Sequence, residues 1–193
     1  PDYRAVTQSI FVDLFKRGDI VEDLRPNIYD PVEGTTIADA EVERLQRMTK
    51  LVDVIWNTED GEEVIISTTR PELICACGIV VVHPDDERYS HLVGKSINIP
   101  VEVSGRSKEV MISSHHSVKS EFGSGVLMVC SFGDQNDVAI FRELGLTPFQ
   151  AIDLEGRMTK IAGPYSGLLV QEARQKVMND LQELNRIANI TEK

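Results

Sequence analysis

The sequence is short of cysteine, of aromatic residues, of positive charge and of long apolar runs, and each shortage removes a class of protein. Three cysteines in 193 residues cannot complete a set of internal disulfides, which excludes a secreted disulfide scaffold. No stretch of about 18 apolar residues occurs, so no transmembrane helix and no membrane partner are expected. The opening residues PDYRAVTQSI have neither the charged start nor the apolar stretch of a secretory leader, and the expectation is a soluble, cytoplasmic chain. Lys and Arg number 20 against 31 Asp and Glu, a formal net charge of −11. Non-specific nucleic-acid binders neutralise phosphates with clustered basic residues, so the chain as a whole is a poor one. A local site for one nucleotide or one strand end stays open. Aromatic residues are only 6% of the chain, which disfavours a base-stacking platform.

What is present is enough to build a core. Apolar residues make up 41% of the chain, sufficient for one large domain or two small ones. Val6, Ile10, Phe11, Leu14 and Phe15 recur at helical spacing and predict a helix over residues 3–17, with Gly18 as its stop. Pro26, Pro31 and Gly34 mark residues 19–37 as turn-rich, and 37–50 is compatible with a short helix. LVDVIWNT (51–58) and VIISTT (64–69) flank Asp60-Gly61 and read as a hairpin. GIVVVH (78–83) reads as a buried strand, and PDDERYSHL (84–92) as a helical turn with Pro84 at its start. SINIP, EVMISS, VLMVCS and PFQAID supply further strands. Asp134 or Gln135 opens a helix that runs to Leu144 and stops at Gly145. Val170, Ala173, Val177, Leu181 and Leu184 line one stripe of a last helix over 169–185.

Helices inserted irregularly among short strands do not form a regular βαβ array. The expected fold class is α+β, a curved sheet or β-barrel core with peripheral helices. Residues 1–193 are expected to be a single domain: an entry segment (1–50), a β-rich core (51–168) and a C-terminal helix (169–193). With both ends helical, the chain reads as a segment of a longer one.

The common catalytic signatures are missing. FGSG around Ser124 is not a nucleophile elbow, Gly123-x-Gly125 does not continue as a dinucleotide fingerprint, and no ATP phosphate loop occurs. Cys75 and Cys77 form one close pair without a second pair or helically spaced histidines, so they read as packed thiols rather than a zinc site. His115 and His116 are adjacent, and on a strand they would face opposite sides, so a shared ligand role is not expected. Two segments carry more. Thr68-Thr69-Arg70-Pro71-Glu72 sets two hydroxyls and a fixed cation at a strand end. Such a group suits a phosphate or a ribose edge, and equally a strand-end salt bridge. In Glu121-Phe122-Gly123-Ser124-Gly125, the glycines allow close backbone approach to a ligand. Asp134 and Asp137 stand three apart at a helix start, a spacing that serves either helix capping or a carboxylate that holds an ammonium group.

Together, in this order, these segments resemble the inserted editing domain of the class I synthetases for valine, isoleucine and leucine. That family carries a TTRPE-type segment, an FGTG-type loop and two aspartates three apart at a helix start. Here they read TTRPE (68–72), FGSG (122–125) and DQND (134–137). HPDDERYSHLVGK (83–95) is similar to valyl enzymes, and TTRPELICAC with VMVCSFGD resembles the archaeal type. FVDLFKRGDI, RPNIYDP and TTIADAEVE resemble the family's approach to the insert. Departures from the bacterial valyl pattern are Met128 and Cys130, where lysine and threonine are usual, and Gly133, where histidine is usual. Tyr29-Asp30-Pro31-Val32-Glu33 stands where many relatives have a cysteine pair, so no metal is expected there. HIGH and KMSKS are absent, so no amino-acid activation is expected.

The resemblance implies hydrolysis of mischarged Thr-tRNA(Val), with the threonine-bearing 3′ end of tRNA(Val) and the remainder of the synthetase as partners. It implies no cofactor in this domain, the parent enzyme using ATP and Mg. It implies that Asp137 binds the substrate ammonium, that Asp134 assists, and that Thr69 belongs to the catalytic group. Thr68 and Arg70 would line the site near the adenosine and the ester. Phe122 would pack on adenine or the pocket wall, with the Gly123, Ser124 and Gly125 backbone near the terminal ribose. Met128 and Cys130 would occupy the pocket positions of their polar counterparts. An isoleucyl-type domain that deacylates Val-tRNA(Ile), and a non-catalytic tRNA-docking module, are the alternatives.

Overall fold

The computed structural model describes residues 2–22, 26–43, 45 and 48–192. Helix α1 spans Asp2–Arg17 and ends as the sequence predicts. Gly18 takes φ +79°, and the Gly18 and Asp19 N–H groups donate to Phe15 and Leu14 carbonyls. Its apolar stripe is not buried: Val6, Ile10, Phe11 and Phe15 are each more than half exposed. A two-residue ladder follows, β1 (Tyr29–Asp30) on β2 (Thr35–Thr36). Before β3, the described residues from 37 on hold a short 3-10 turn, Asp39–Glu41, and no α-helix.

The core sheet begins with β3 (Lys50–Thr58) and β4 (Glu63–Thr68), joined at Gly61 with φ +85°. Along β3, Val52, Val54 and Trp56 are buried while Asp53, Ile55 and Asn57 are half-buried, the period-2 pattern of a strand with one covered face. Then come β5 (Cys77–Val82), β6 (Ser96–Asn98), β7 (Glu109–Ser114) and β8 (Val126–Cys130). The order across the sheet is β4-β3-β6-β7-β5-β8. Among the described strands, only β5 and β7 run parallel. The sheet curls until its two edge strands approach: the Ser124 N–H, just before β8, donates to Ser67 Oγ on β4 at 3.0 Å. The result is a mixed, nearly closed barrel, as the patterning predicts.

The barrel interior holds Val54, Trp56, Ile66, Val80, Val82, Ile97, Ile112 and Met128. A smaller apolar layer on the outside joins Ile79, Val81 and Val129 to Ile140 and Phe141 of α2 (Gln135–Glu143). Gly78 makes that contact possible, because a Cβ there would stand 2.3 Å from the Phe141 ring. Helix α3 (Val170–Glu183) buries Ala173, Val177 and Leu181 and packs near the 3-10 turn Pro71–Ala76.

Two expectations fail. PFQAID forms no strand; Phe149 N–H goes to Ser131 Oγ, and only an isolated bridge joins Ile152 to Met158. The C-terminal stretch is not helical throughout: after α3 the chain turns at Asn185 (φ 52°) and enters β9 (Ile187–Glu192). β9 lies antiparallel on β3, with Lys50 opposite Glu192 and Leu51 opposite Thr191. β9 and β6 thus share one edge of β3, while β4 takes the other. Every side chain of β9 after Ile187 is exposed, which is why no apolar pattern announced it.

Candidate functional site

The site stands where the near-closed edge of the barrel meets the start of α2. Asp134 is the N-cap: its backbone is extended, and its Oδ1 accepts the Asp137 N–H at 2.8 Å. Asp137, one turn on, does something else. It is 8% exposed, and its Oδ2 accepts the Cys130 N–H at 3.1 Å. Burial pushes its carboxyl up to about 7; the Cys130 N–H opposes this, the Asp134 charge adds to it, and the Arg70 guanidinium opposes it. The two readings of the aspartate spacing therefore divide between the two residues. One caps the helix, and the other is a desolvated carboxyl at a cleft wall.

That cleft has a volume of about 230 Å³. Asp134, Asp137 and Asn136 line one side, and Phe122, Gly125 and Leu127 line another. The 120–125 loop is held at several points. Tyr89 Oη donates to Ser124 O at 2.9 Å, and Arg88 Nη2 donates to Ser120 O at 2.8 Å. Asp86 grips the Arg88 guanidinium through both of its oxygens. From β4, Ser67 Oγ accepts the Ser124 N–H and donates to Asp53 Oδ1 at 2.5 Å. The glycines leave room for these contacts. At Gly125, φ +84°, a Cβ would stand 2.6 Å from Arg88 Nη2 and 2.7 Å from Ser120 O. At Gly123, φ +60°, it would stand 2.6 Å from Ser67.

The structure brings Asp134, Asp137, Phe122 and Gly125 to one cleft, with Gly123 and Ser124 on the same loop. Others lie elsewhere. Thr68 is buried, and its Oγ1 accepts the Arg70 N–H at 3.0 Å. Thr69 follows β4, half-buried, outside the lining of this cleft. Arg70 faces a different and larger hollow of about 1100 Å³, on the far side of Asp134, and donates to Gly133 O at 3.0 Å. Met128 and Cys130 do not line the cleft. Val126 and Leu127 at the start of β8 both line it, whereas Met128 and Cys130 further along the strand are packed in the core, and Cys130 Sγ donates to Leu73 O. Neighbouring thiols are buried too, and burial pushes Cys75 and Cys77 up to about 12, as packed rather than reactive cysteines.

Sequence reasoning passed over Ser67, Ser117 and Lys119, which also line the cleft. Ser67 stands directly before the TTRPE segment and reads as an ordinary strand serine. Lys119 was within sight, two residues before the FGSG loop's Glu121, but it carries no spacing signal of its own.

No family model matches the chain. It is 42% identical over 183 residues to a valine--tRNA ligase of Aeropyrum pernix, covering 94% of this chain and 22% of the relative. It is 42% identical over 193 residues to that of Nanoarchaeum equitans, covering 100% and 25%. The match to the Methanosarcina mazei ligase is 41% over 189 residues. The chain thus spans about a fifth to a quarter of the length of these relatives. In fold it is similar to a solved LeuRS CP1 domain (GlLeuRS-CP1), with TM-score 0.57 and 11% identity, covering 75% of this chain and 100% of that one. It is equally similar, at TM-score 0.57 and 15% identity, to the LeuRS of Agrobacterium radiobacter K84 solved in a ternary complex with tRNA and LeuAMS, covering 76% of this chain and 20% of that one.

Proposed function

Because the chain matches archaeal valine--tRNA ligases in sequence and a synthetase connective polypeptide in fold, we propose that it is a post-transfer editing hydrolase acting on Thr-tRNA(Val). The observation that carries the reading is the buried Asp137 carboxyl at the wall of a cleft whose other wall is the Phe122 loop. For valyl enzymes it is already established that a hydrophobic pocket rejects threonine's hydroxyl only about a hundredfold, so a second site is needed. A site that hydrogen-bonds the hydroxyl discriminates against valine, since polar groups left unpaired on burial cost about 1–3 kcal/mol each.

In this reading the α-ammonium of the bound residue sits against Asp137, a charge-assisted bond that also draws the carboxyl into its ionised form. The Ser67 and Ser117 hydroxyls at the cleft, already bonded to Asp53 and His115, keep a lone pair each with which to accept the threonine hydroxyl in this reading. Phe122, half exposed at the rim, offers its ring to the terminal adenine. Asp134 keeps one oxygen on the helix and turns its charge to the same cleft. An aminoacyl ester is already activated, so binding that orients it toward water, with donors placed for the developing oxyanion, supplies the chemistry without a protein nucleophile. The partners are the tRNA(Val) 3′ end and the rest of the ligase, in the cytoplasm.

Deacylation of Thr-tRNA(Val), with Val-tRNA(Val) and Val-tRNA(Ile) run beside it, tests the proposal. Selective loss of threonine supports it. Loss from Val-tRNA(Ile) alone moves the domain to the isoleucyl type. Inertness toward all three at saturating, folded protein favours a docking module.

A further inference from the structure

Arg70 is held in a chain of contacts that ends at Asp137. Glu72, 1% exposed, is gripped by Arg174 of α3 through two bonds, 2.8 Å to Oε2 and 2.7 Å to Oε1. The Arg70 Nε lies 3.4 Å from the same Oε1. A carboxylate this deeply buried holds its guanidinium partners firmly, because leaving it unpaired is far more costly than keeping them. With its Nε side turned to Glu72, Arg70 extends Nη1 to the Gly133 carbonyl at 3.0 Å.

Gly133 matters because of what stands where its side chain would be. A Cβ there would lie 2.1 Å from Asp137 Oδ2. The carboxyl occupies the space that glycine leaves, between the Gly133 backbone and the Cys130 N–H. A glycine peptide has wide conformational freedom, so the place of this wall depends on what ties it. Its N–H donates to Cys130 O at 3.2 Å, and its carbonyl is tied by Arg70.

We propose that Glu72 and Arg174 are positioning residues of the cleft: they hold the Arg70 guanidinium on the Gly133 carbonyl and so fix the seat of the Asp137 carboxyl. The assignment rests on the reading of Asp137 as the ammonium-binding group. It makes Arg70 a brace behind the site rather than a contact to the adenosine. α3, which touches the cleft nowhere, thereby acts on it through Arg174.

The test is the carboxyl titration of Asp137 by carbon NMR, in the 193-residue chain and in its Arg174→Gln and Arg174→Lys variants. The groups that face Asp137 are Arg70 beyond β4, Asp134 on α2, Cys77 on β5 and Cys130 on β8, and of these only Arg70 is released by the change at 174. In Arg174→Gln, Glu72 draws Arg70 off Gly133. The Asp137 midpoint then rises by about half a pH unit or more, and the Gly133 and Asp134 amide signals shift. At pH 7, kcat/KM on Thr-tRNA(Val) falls about tenfold, the scale expected for a misplaced binding group. Arg174→Lys, which keeps the charge and loses the fork, gives a smaller change in the same direction and decides the matter if the Gln variant does not fold. A folded variant whose Asp137 midpoint and Gly133 amide match the unsubstituted chain overturns the proposal. If the titration moves as stated but the unsubstituted chain hydrolyses none of the esters, the positioning stands and the hydrolase reading falls.

Discussion

Asp137 carries opposed demands. Its carboxyl titrates near 7 in the folded chain, well above the ordinary aspartate value, because burial disfavours the charge that ammonium binding requires. The folded state therefore holds this proton more tightly than the unfolded state does. Stability from the group is fully present below about pH 4, the unfolded value, and is lost as pH rises toward about 7. Asp137→Asn, whose amide oxygen still accepts the Cys130 N–H, should escape that loss. Its melting temperature should exceed that of the unsubstituted chain at pH 8, by an amount corresponding to ~1–4 kcal/mol, and match it near pH 4. Asp137→Ala should retain the fold and lose deacylation altogether; unchanged turnover would remove Asp137 from the site. Gly133→Ala is the complementary change, since the new methyl collides with Oδ2. It should cut deacylation at least about tenfold while costing only about 1–3 kcal/mol in stability, read by thermal melting beside the kinetic assay. The aspartate pair was legible in the sequence because helix geometry fixes its spacing. Which member caps and which is buried was not, because that depends on β8 passing behind the helix. Met128 and Cys130 are packed in the barrel interior, a placement that the motif alone does not give, since it shows that a strand is near the site but not how deeply each residue is buried.

Among the elements, strands with alternating burial were the easiest to read, and β3 is the clearest case. β9 was hidden because an exposed strand laid on a sheet edge is specified by backbone hydrogen bonds and leaves little trace in side-chain pattern. PFQAID misled in the opposite sense: it has strand composition, but its Phe149 N–H goes to Ser131 Oγ and only an isolated bridge forms at Ile152. The 84–92 segment, read as a helical turn, does hold a 3-10 turn at Ser90–Leu92, and it also holds a neighbour. Arg88 and Tyr89 pin the carbonyls of Ser120 and Ser124, which shape the Phe122 loop. In Arg88→Ala, amide exchange across residues 120–125 should quicken and KM for Thr-tRNA(Val) should rise by more than kcat falls. Exchange rates equal to those of the unsubstituted chain would show that Tyr89 and Ser67 suffice to hold the loop.

For the molecule as a whole, charge sets the terms of any encounter with tRNA. At −11, the chain repels a polyanion at long range and rewards only local contacts such as Lys119 at the cleft. The slope of log affinity against log salt should therefore be much shallower than the roughly −6 to −10 of proteins that neutralise many phosphates, measured by titrating tRNA at several ionic strengths. The first and last strands of the sheet, β3 and β9, form one antiparallel ladder in which Lys50 lies across from Glu192. The two ends of the core thus stand one strand spacing apart, about 5 Å. Residues more than 130 apart in the chain are thereby joined through backbone hydrogen bonds, so a change that frays β9 loosens one edge of β3, the strand that also carries β4 and β6.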